Sequence, residues 1–336
     1  MGVFSLFRRL SVLLVLFLLP VAVLANVPDD DNELHELTVY VIPTMHSLDW
    51  SSPSSLYKTM LKCYTKTFFL ADNYMLGHLG VRLNTPLLEK PMLVAMTSGE
   101  KYEKLNLVLK ERIGFGILGA FWKGRLEPEQ ELNHMLKVYA KRNKLAFLKY
   151  RLNEAGMKRI LAFINQYAAK PNGVYSPSSF YGGTLWPLYH NEGSGCSNFG
   201  IAMLELAGLM NEQVKNWEIR CKVPMEIIGG IYNNDKKVKF SSILKTEKWA
   251  EQGKANIDWI EYQVFEPSLM FDWVIDNHKK NREDYRPVVE NGIPGVYYDG
   301  RNAFVDEEKP IFTSRPNPNL FVERFLEKQL PAEKQL

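Results

Sequence analysis

One short segment constrains the fold of this 336-residue chain more than any other. Small residues lead into a cysteine at Gly193-Ser194-Gly195-Cys196, and an apolar pattern with helical spacing starts directly after it. The apolar positions of that pattern are Phe199, Ala202, Met203, Leu206 and Leu209. Their spacing predicts a helix that runs to Met210 and turns an apolar face to a protein core. Cys196 is therefore expected at the N-terminus of a core helix.

A thiol in this position is suited to nucleophilic chemistry. The free backbone N–H groups and the positive dipole end of a helix lower the pKa of a thiol, and the thiolate is the nucleophilic form. The same N–H groups can hold part of an oxyanion. The alternative is a buried cysteine that only begins a core helix, because free cysteines are often buried.

A second candidate is the histidine in Leu76-Gly77-His78-Leu79-Gly80-Val81, which opens a predicted strand. With Cys196 it forms a Cys/His hypothesis in which His78 is a general base or ion-pair partner. Alone, a histidine before a strand is more often structural. His190, just before Cys196, and His46, after the first strand, are candidates to line the same site. The chain contains neither C-x-x-C nor H-E-x-x-H, so no metal site and no cofactor is predicted.

The N-terminus has the pattern of a secretory signal peptide. Arg8-Arg9 precede an apolar run, Leu10–Ala25, and small residues stand at Val23 and Ala25 before the sequence turns acidic. We therefore predict a cleaved signal over residues 1–25, a flexible leader over 26–36 and a secreted or periplasmic location. The alternative is an uncleaved anchor, for which the run is short.

Three cysteines in an oxidising compartment leave at least one thiol unpaired. If two of them pair, Cys63–Cys221 is the expected disulfide; all three being free is the alternative. The hydrophobic fraction of 46% and the charged fraction of 24% indicate a globular chain. The net charge of +3 gives no reason to expect a nucleic-acid partner.

The hydrophobic periodicity, together with the residues that end helices and strands, predicts a mixture of strands and helices, and hence an α+β fold. The expected strands are Leu37–Pro43, Leu79–Leu83, Pro91–Met96, Met225–Ile228, Val238–Leu244 and Ile257–Phe265. The expected helices are Leu56–Thr67, Pro128–Arg142 and Glu154–Ala168, the helix after Cys196, and helices near 267–278 and 318–329. A long loop rich in glycine, serine, proline and aromatic residues spans 171–195.

Several of these motifs resemble a known superfamily. Tyr181-Gly182-Gly183 followed by Gly195-Cys196-Ser197 resembles the nucleophile region of the NlpC-type papain-like superfamily, and Gly77-His78-Leu79-Gly80-Val81 resembles its histidine strand. The histidine precedes the cysteine by 118 residues, as in the circularly permuted branch.

Within that branch, residues 37–210 are similar to the Lnb N-terminal periplasmic domain family. The matching segments are Trp122-Lys123-Gly124-Arg125, Lys137-Val138-Tyr139 and 147–153. Gly195 departs from the pattern, because that family usually has asparagine before its cysteine.

The resemblance implies a circularly permuted papain-like core over residues 37–215, in which an antiparallel sheet carrying the histidine packs against the Cys196 helix. Residues 216–336 are expected to form a C-terminal extension that completes or packs on this core. The implied chemistry is attack of Cys196 on a carbonyl, with proton relay by His78. Thr97 is the predicted residue that orients His78, with Ser98 as the other candidate. The predicted substrate-binding residues are Tyr181, Trp186, His190 and Ser197.

The function favoured by these features is an exported thiol hydrolase acting on a cell-envelope peptide amide, with a peptidoglycan peptide as the expected partner. One alternative is a lipid or acyl-ester hydrolase or acyltransferase of the same fold. The apolar segment Ile113–Trp122 would favour it if it lies at a membrane surface rather than in the core. Another is a catalytically inactive binding protein of the envelope. Peripheral association with the cell envelope is compatible with all three of these functions.

Overall fold

The chain is built around a six-stranded sheet in a computed structural model that describes residues 34–67, 74, 76–98, 106–170, 175–280, 282 and 284–329. The predicted signal peptide and most of the predicted leader lie outside these residues. The strands, in chain order, are β1 (Glu36–Ile42), β2 (His78–Asn84), β3 (Met92–Val94), β4 (Met96–Ser98), β5 (Phe121–Leu126), β6 (Ala146–Arg151), β7 (Phe180–Gly182), β8 (Glu218–Pro224), β9 (Trp259–Phe265), β10 (Arg286–Glu290) and β11 (Ile293–Asp299).

The helices are α1 (Pro53–Thr67), α2 (Glu129–Lys141), α3 (Glu154–Ala168), α4 (Cys196–Leu206), α5 (Glu212–Lys215), α6 (Phe240–Lys245), α7 (Pro267–Lys280) and α8 (Leu320–Gln329). The main sheet has the order β10-β11-β6-β1-β2-β3. A three-stranded sheet, β4-β5-β7, and the β8-β9 pair complete the described strands. The predicted α+β class is confirmed.

Helix α4 lies against β2, the strand next to the β3 edge of the main sheet. Alternate residues of β2, Leu79 and Val81, face it, and Gly200 allows the close approach: an added Cβ would lie 3.2 Å from Leu79 Cδ2. On its other side Phe199 packs against Phe163 and Tyr167 of α3, with ring centroids 5.6 and 5.4 Å apart. The apolar pattern after Cys196 therefore lies in the core, as the sequence predicts.

The sheet is mixed rather than purely antiparallel. Strands β1, β2, β3 and β6 pair antiparallel, but β11 joins β6 in parallel. A parallel pair needs a long connection, and the chain between β6 and β11 supplies one. The hairpin β10-β11 turns at Asn291-Gly292, where φ is 51° and 77°. The Asn-Gly pair is a strong hairpin signal because both residues tolerate the positive φ that a tight two-residue turn requires.

Three short apolar runs differ from their predicted structures. The run 91–96 divides at Ala95 into β3 and β4, which belong to different sheets. Residues predicted as strands at 238–244 and 225–228 instead contain helix α6 and a 3₁₀ turn, Met225–Ile227. A short apolar run does not distinguish a buried strand from a buried helical turn, so packing decides between them.

Of the two alternatives for the cysteines, the structure has the second: Cys63 and Cys221 form no disulfide, and all three cysteines are buried free thiols. The described end of the predicted leader also packs against the fold: His35 is buried, and its Nδ1 lies 2.7 Å from Thr85 Oγ1. Within the described part of the chain, no helix has the length and apolar character required to cross a bilayer.

Candidate active site

Cys196 is the first residue of α4. Gly195 occupies the N-cap position with φ −79° and ψ 165°, and it has no side chain to bond the first-turn N–H groups. The uncapped N–H groups and the helix dipole therefore lie beside the thiol. The Tyr181 hydroxyl donates to Cys196 Sγ at 3.8 Å, and Ser197 Oγ lies 4.0 Å from the same sulfur.

His78 opens β2 next to this sulfur. Gly77, with φ +78°, leads into the strand; a Cβ there would lie 2.8 Å from Pro267 Cβ and 2.9 Å from the Ile42 carbonyl oxygen, so only glycine fits. The imidazole stacks on Tyr74, with centroids 3.9 Å apart and planes 3° from parallel. The imidazole is also close enough to the Cys196 thiol for each group to shift the pKa of the other. Because Nε2 is occupied by Glu127, Nδ1 is the ring atom left to serve the thiol.

Glu127 is the partner of His78. Its Oε2 lies 3.0 Å from His78 Nε2, and its Oε1 accepts a hydrogen bond from the Tyr74 hydroxyl. The carboxylate is only 7% exposed. Both of its oxygens are thus bonded to groups that hold the imidazole, and this arrangement orients the ring.

The position of Glu127 depends on Ala95, where the predicted 91–96 strand divides into β3 and β4. Strand β3 pairs with β2, whereas β4 pairs with β5, so Ala95 joins the two sheets. The Glu127 N–H donates to the Ala95 carbonyl at 2.8 Å, just past the end of β5. Glu127 therefore lies beside the first residue of β2, although 49 positions separate them in the chain.

The electrostatics favour an ion pair. Burial raises the pKa of Cys196, but the charge of His78 and hydrogen bonds from His78, the Leu79 backbone and Tyr181 together lower it to about 7. Burial lowers the pKa of His78, but Cys196 and Glu127 together raise it to about 9. Burial likewise raises the pKa of Glu127, and its bonds to His78 and Tyr74 bring it below its usual value. A thiolate–imidazolium pair is therefore expected between about pH 7 and pH 9.

Cys196 and His78 line a cavity of about 220 Å³. Its walls are largely apolar or aromatic: Leu48, Trp50, Met60, Ile117, Leu118, Trp122, Tyr262, Val264 and Phe265. Phe115, Leu118 and Ala120 are buried, so the segment 113–122 packs in the core and contributes a cavity wall. Within the described ranges, no group of three or more His, Cys, Asp or Glu side chains could hold a metal ion.

The predicted site residues divide into two groups. Cys196, His78, Thr97, Ser98, Tyr181 and Ser197 all line the cavity. The carboxylate bonded to His78 Nε2 is nevertheless Glu127, so the position expected for Thr97 belongs to a residue that the sequence analysis did not select. Glu127 directly precedes the predicted helix Pro128–Arg142, so its position in the chain suggests no more than the start of a helix. No local pattern links Glu127 to His78, because the contact depends on the pairing of β4 with β5.

Trp186 and His190 do not line the cavity. Trp186 packs on Phe265 at 6.0 Å between centroids and borders a separate groove of about 400 Å³. His190 is exposed, and its N–H donates to the Thr313 carbonyl at 2.9 Å. The loop before Cys196 pairs at Tyr189 with Thr313 from the C-terminal segment. No local sequence pattern indicates this contact with the C-terminal segment, which places His190 at the surface.

Replacing Glu127 with glutamine is expected to lower the pKa of His78 and raise that of Cys196. Glu127 raises the pKa of His78, and the His78 charge lowers that of Cys196, so neutralising the carboxylate weakens both effects. The histidine pKa can be followed by NMR, and the thiol pKa by the pH dependence of alkylation. Thr97→Val is the matched control. If Thr97→Val shifts both values and Glu127→Gln shifts neither, Thr97 rather than Glu127 supports His78.

Comparison with known proteins provides no further guide to this site. No family model matches the chain, and no significant match occurs among curated proteins or solved structures. The resemblance to the permuted NlpC-type superfamily therefore depends on the residue motifs alone.

Proposed function

We propose that this chain is an exported thiol hydrolase with a circularly permuted papain-like core, in which Cys196 is the nucleophile, His78 the general acid and base, and Glu127 the orienting carboxylate. One observation carries the proposal: a helix-terminal thiol lies beside an imidazole at the wall of a cavity, and the same imidazole is hydrogen-bonded to a buried carboxylate. Packing of the cysteine helix on the histidine strand supports the permuted core. The export proposal depends on the N-terminal signal pattern.

The geometry supports a two-step acyl transfer. The Cys196 thiolate attacks the carbonyl carbon, and the first-turn N–H groups of α4 hold the resulting oxyanion. His78 gives its Nδ1 proton to the leaving amine, the C–N bond breaks and a thioester remains. Water then attacks the thioester while His78 accepts a proton. The C–S bond breaks, which releases the carboxylic acid and restores the Cys196 thiolate and the His78 imidazolium. Throughout, Glu127 holds Nε2–H and stabilises the imidazolium.

A cell-envelope peptide amide, such as a peptidoglycan peptide, is the first proposed substrate class. A lipid or acyl ester is the second candidate, and the largely apolar walls beside Cys196 favour it because they suit an acyl chain. The inactive-binding-protein alternative is disfavoured, since a buried thiol with a pKa of about 7 and a dedicated acid–base partner is typical of reactive sites.

The decisive experiment is turnover by the purified chain without its signal segment. Peptidoglycan fragments and acyl esters are the substrates, and the acyl adduct on Cys196 is sought by peptide mass spectrometry. We expect one class to be hydrolysed, and Cys196→Ala to lower kcat/KM by about 10⁴-fold. Cys221→Ala is the matched control, because burial raises the pKa of that thiol to about 12.

Two outcomes would contradict the proposal. One is turnover that survives in Cys196→Ala. The other is a wild-type chain that neither hydrolyses either substrate class nor accumulates an acyl adduct on Cys196.

A further inference from the structure

A second carboxyl group lines the cavity that contains Cys196 and His78. Glu266 lies between β9 and α7, is 4% exposed and belongs to the cavity wall. The mechanism proposed above does not use it. It is therefore a buried ionisable group beside a nucleophile, with no assigned chemical role.

Only part of this carboxyl group has a structural partner. Oε2 accepts the Leu269 N–H at 2.8 Å and so caps the first turn of α7, and Ser268 also bonds the group. Oε1 is buried and has no hydrogen-bond partner among the described residues. Buried acceptors are normally satisfied, so an unpaired carboxylate oxygen at a cavity wall indicates a ligand position.

Helix capping does not account for a glutamate here. Serine, threonine, aspartate and asparagine are the preferred N-cap residues, and one acceptor oxygen suffices for the cap. Compared with aspartate, Glu266 has an additional methylene, and the cap bond to Leu269 uses only one of its two oxygens.

The cavity also lacks a counter-charge for Glu266. Neither lysine nor arginine is among its described lining residues, whose other titratable groups are Tyr74, His78, Tyr181, Cys196 and Tyr262. The imidazole of His78 is already engaged by Glu127 and Cys196. The charged neighbour of Glu266 on α7 is Asp272, which has the same sign.

We propose that Glu266 binds a primary ammonium group of the substrate and thereby selects amine-bearing acyl substrates. An ammonium group supplies both a positive charge and N–H donors, which are what an unpaired buried carboxylate oxygen lacks. The ligand is a peptide with an amino group close to the carbonyl that Cys196 attacks. This inference rests on the proposed function and specifies its substrate.

Charge-matched thiol reagents test the proposal without a substrate. Methyl, aminoethyl and sulfonatoethyl methanethiosulfonate are neutral, cationic and anionic. Each reacts by thiolate attack on the thiosulfonate sulfur, which forms a mixed disulfide and releases methanesulfinate. Rates are measured at Cys196 alone by peptide mass spectrometry, which separates it from Cys63 and Cys221. The ratio of the cationic to the anionic rate cancels any change in thiol pKa.

We expect Glu266→Gln to lower this ratio by about tenfold, because glutamine retains the cap but removes the charge. Glu266→Asp retains the charge and is expected to keep a ratio above that of Glu266→Gln. Asp276→Asn is the matched control. Asp276 is exposed on the same helix, where its Oδ2 lies 3.8 Å from Lys280 Nζ, so this variant should keep the wild-type ratio.

An unchanged ratio in Glu266→Gln, or an equal fall in Asp276→Asn, overturns the ammonium site while Cys196 reactivity still supports the proposed function. A wild-type Cys196 that reacts with none of the three reagents overturns both.

Discussion

Replacing His78 with alanine is expected to slow the alkylation of Cys196 at neutral pH by about 50-fold. The wild-type pKa of this thiol is about 7, and burial alone raises it above the ordinary value of 9.0. Without the imidazolium, burial remains as the largest influence, so the thiolate fraction at pH 7 falls from about half to about 1%. The measurement is iodoacetamide alkylation across a pH series, read at the Cys196 peptide.

His190→Ala is the control for this prediction. Sequence position makes His190 a candidate to line the site, whereas the structure places it on the exposed side of the loop. Its removal should leave the alkylation profile unchanged. The Cys/His pairing would be refuted if His78→Ala reproduced the wild-type profile, or if His190→Ala caused the larger shift.

Replacing Phe199 with alanine is expected to lower the free energy of unfolding by about 3–5 kcal/mol. Phe199 is 1% exposed and packs between α4 and the two aromatic rings of α3, so its loss leaves a cavity beneath the cysteine helix. Urea unfolding followed by tryptophan fluorescence measures the change as a lower transition midpoint.

Phe304→Ala is the matched control for stability. Phe304 is 84% exposed, so its truncation should change the free energy of unfolding by less than about 0.5 kcal/mol. Equal losses in the two variants would show that α4 does not anchor the core as the structure indicates.

Local sequence patterns determined much of the secondary structure. The helix at Glu154–Ala168 has the predicted bounds, and β1, β2 and β9 lie within two residues of their predicted limits. Cys196 at a helix start and His78 at a strand start were also predictable. Each of these features depends on residues close together in the chain, where hydrophobic period, capping and breakers act directly.

Tertiary structure alone decided what surrounds those two residues. Glu127 reaches His78 because the chain changes sheets at Ala95. Glu266 lines the cavity next to Pro267, which packs against Gly77. Such contacts join segments that are far apart in the chain, so they produce no periodic pattern of residues in the sequence. The sequence by itself therefore determined that Cys196 begins a helix and that His78 begins a strand. Packing between segments distant in the chain decided that Glu127 and Glu266 lie near them.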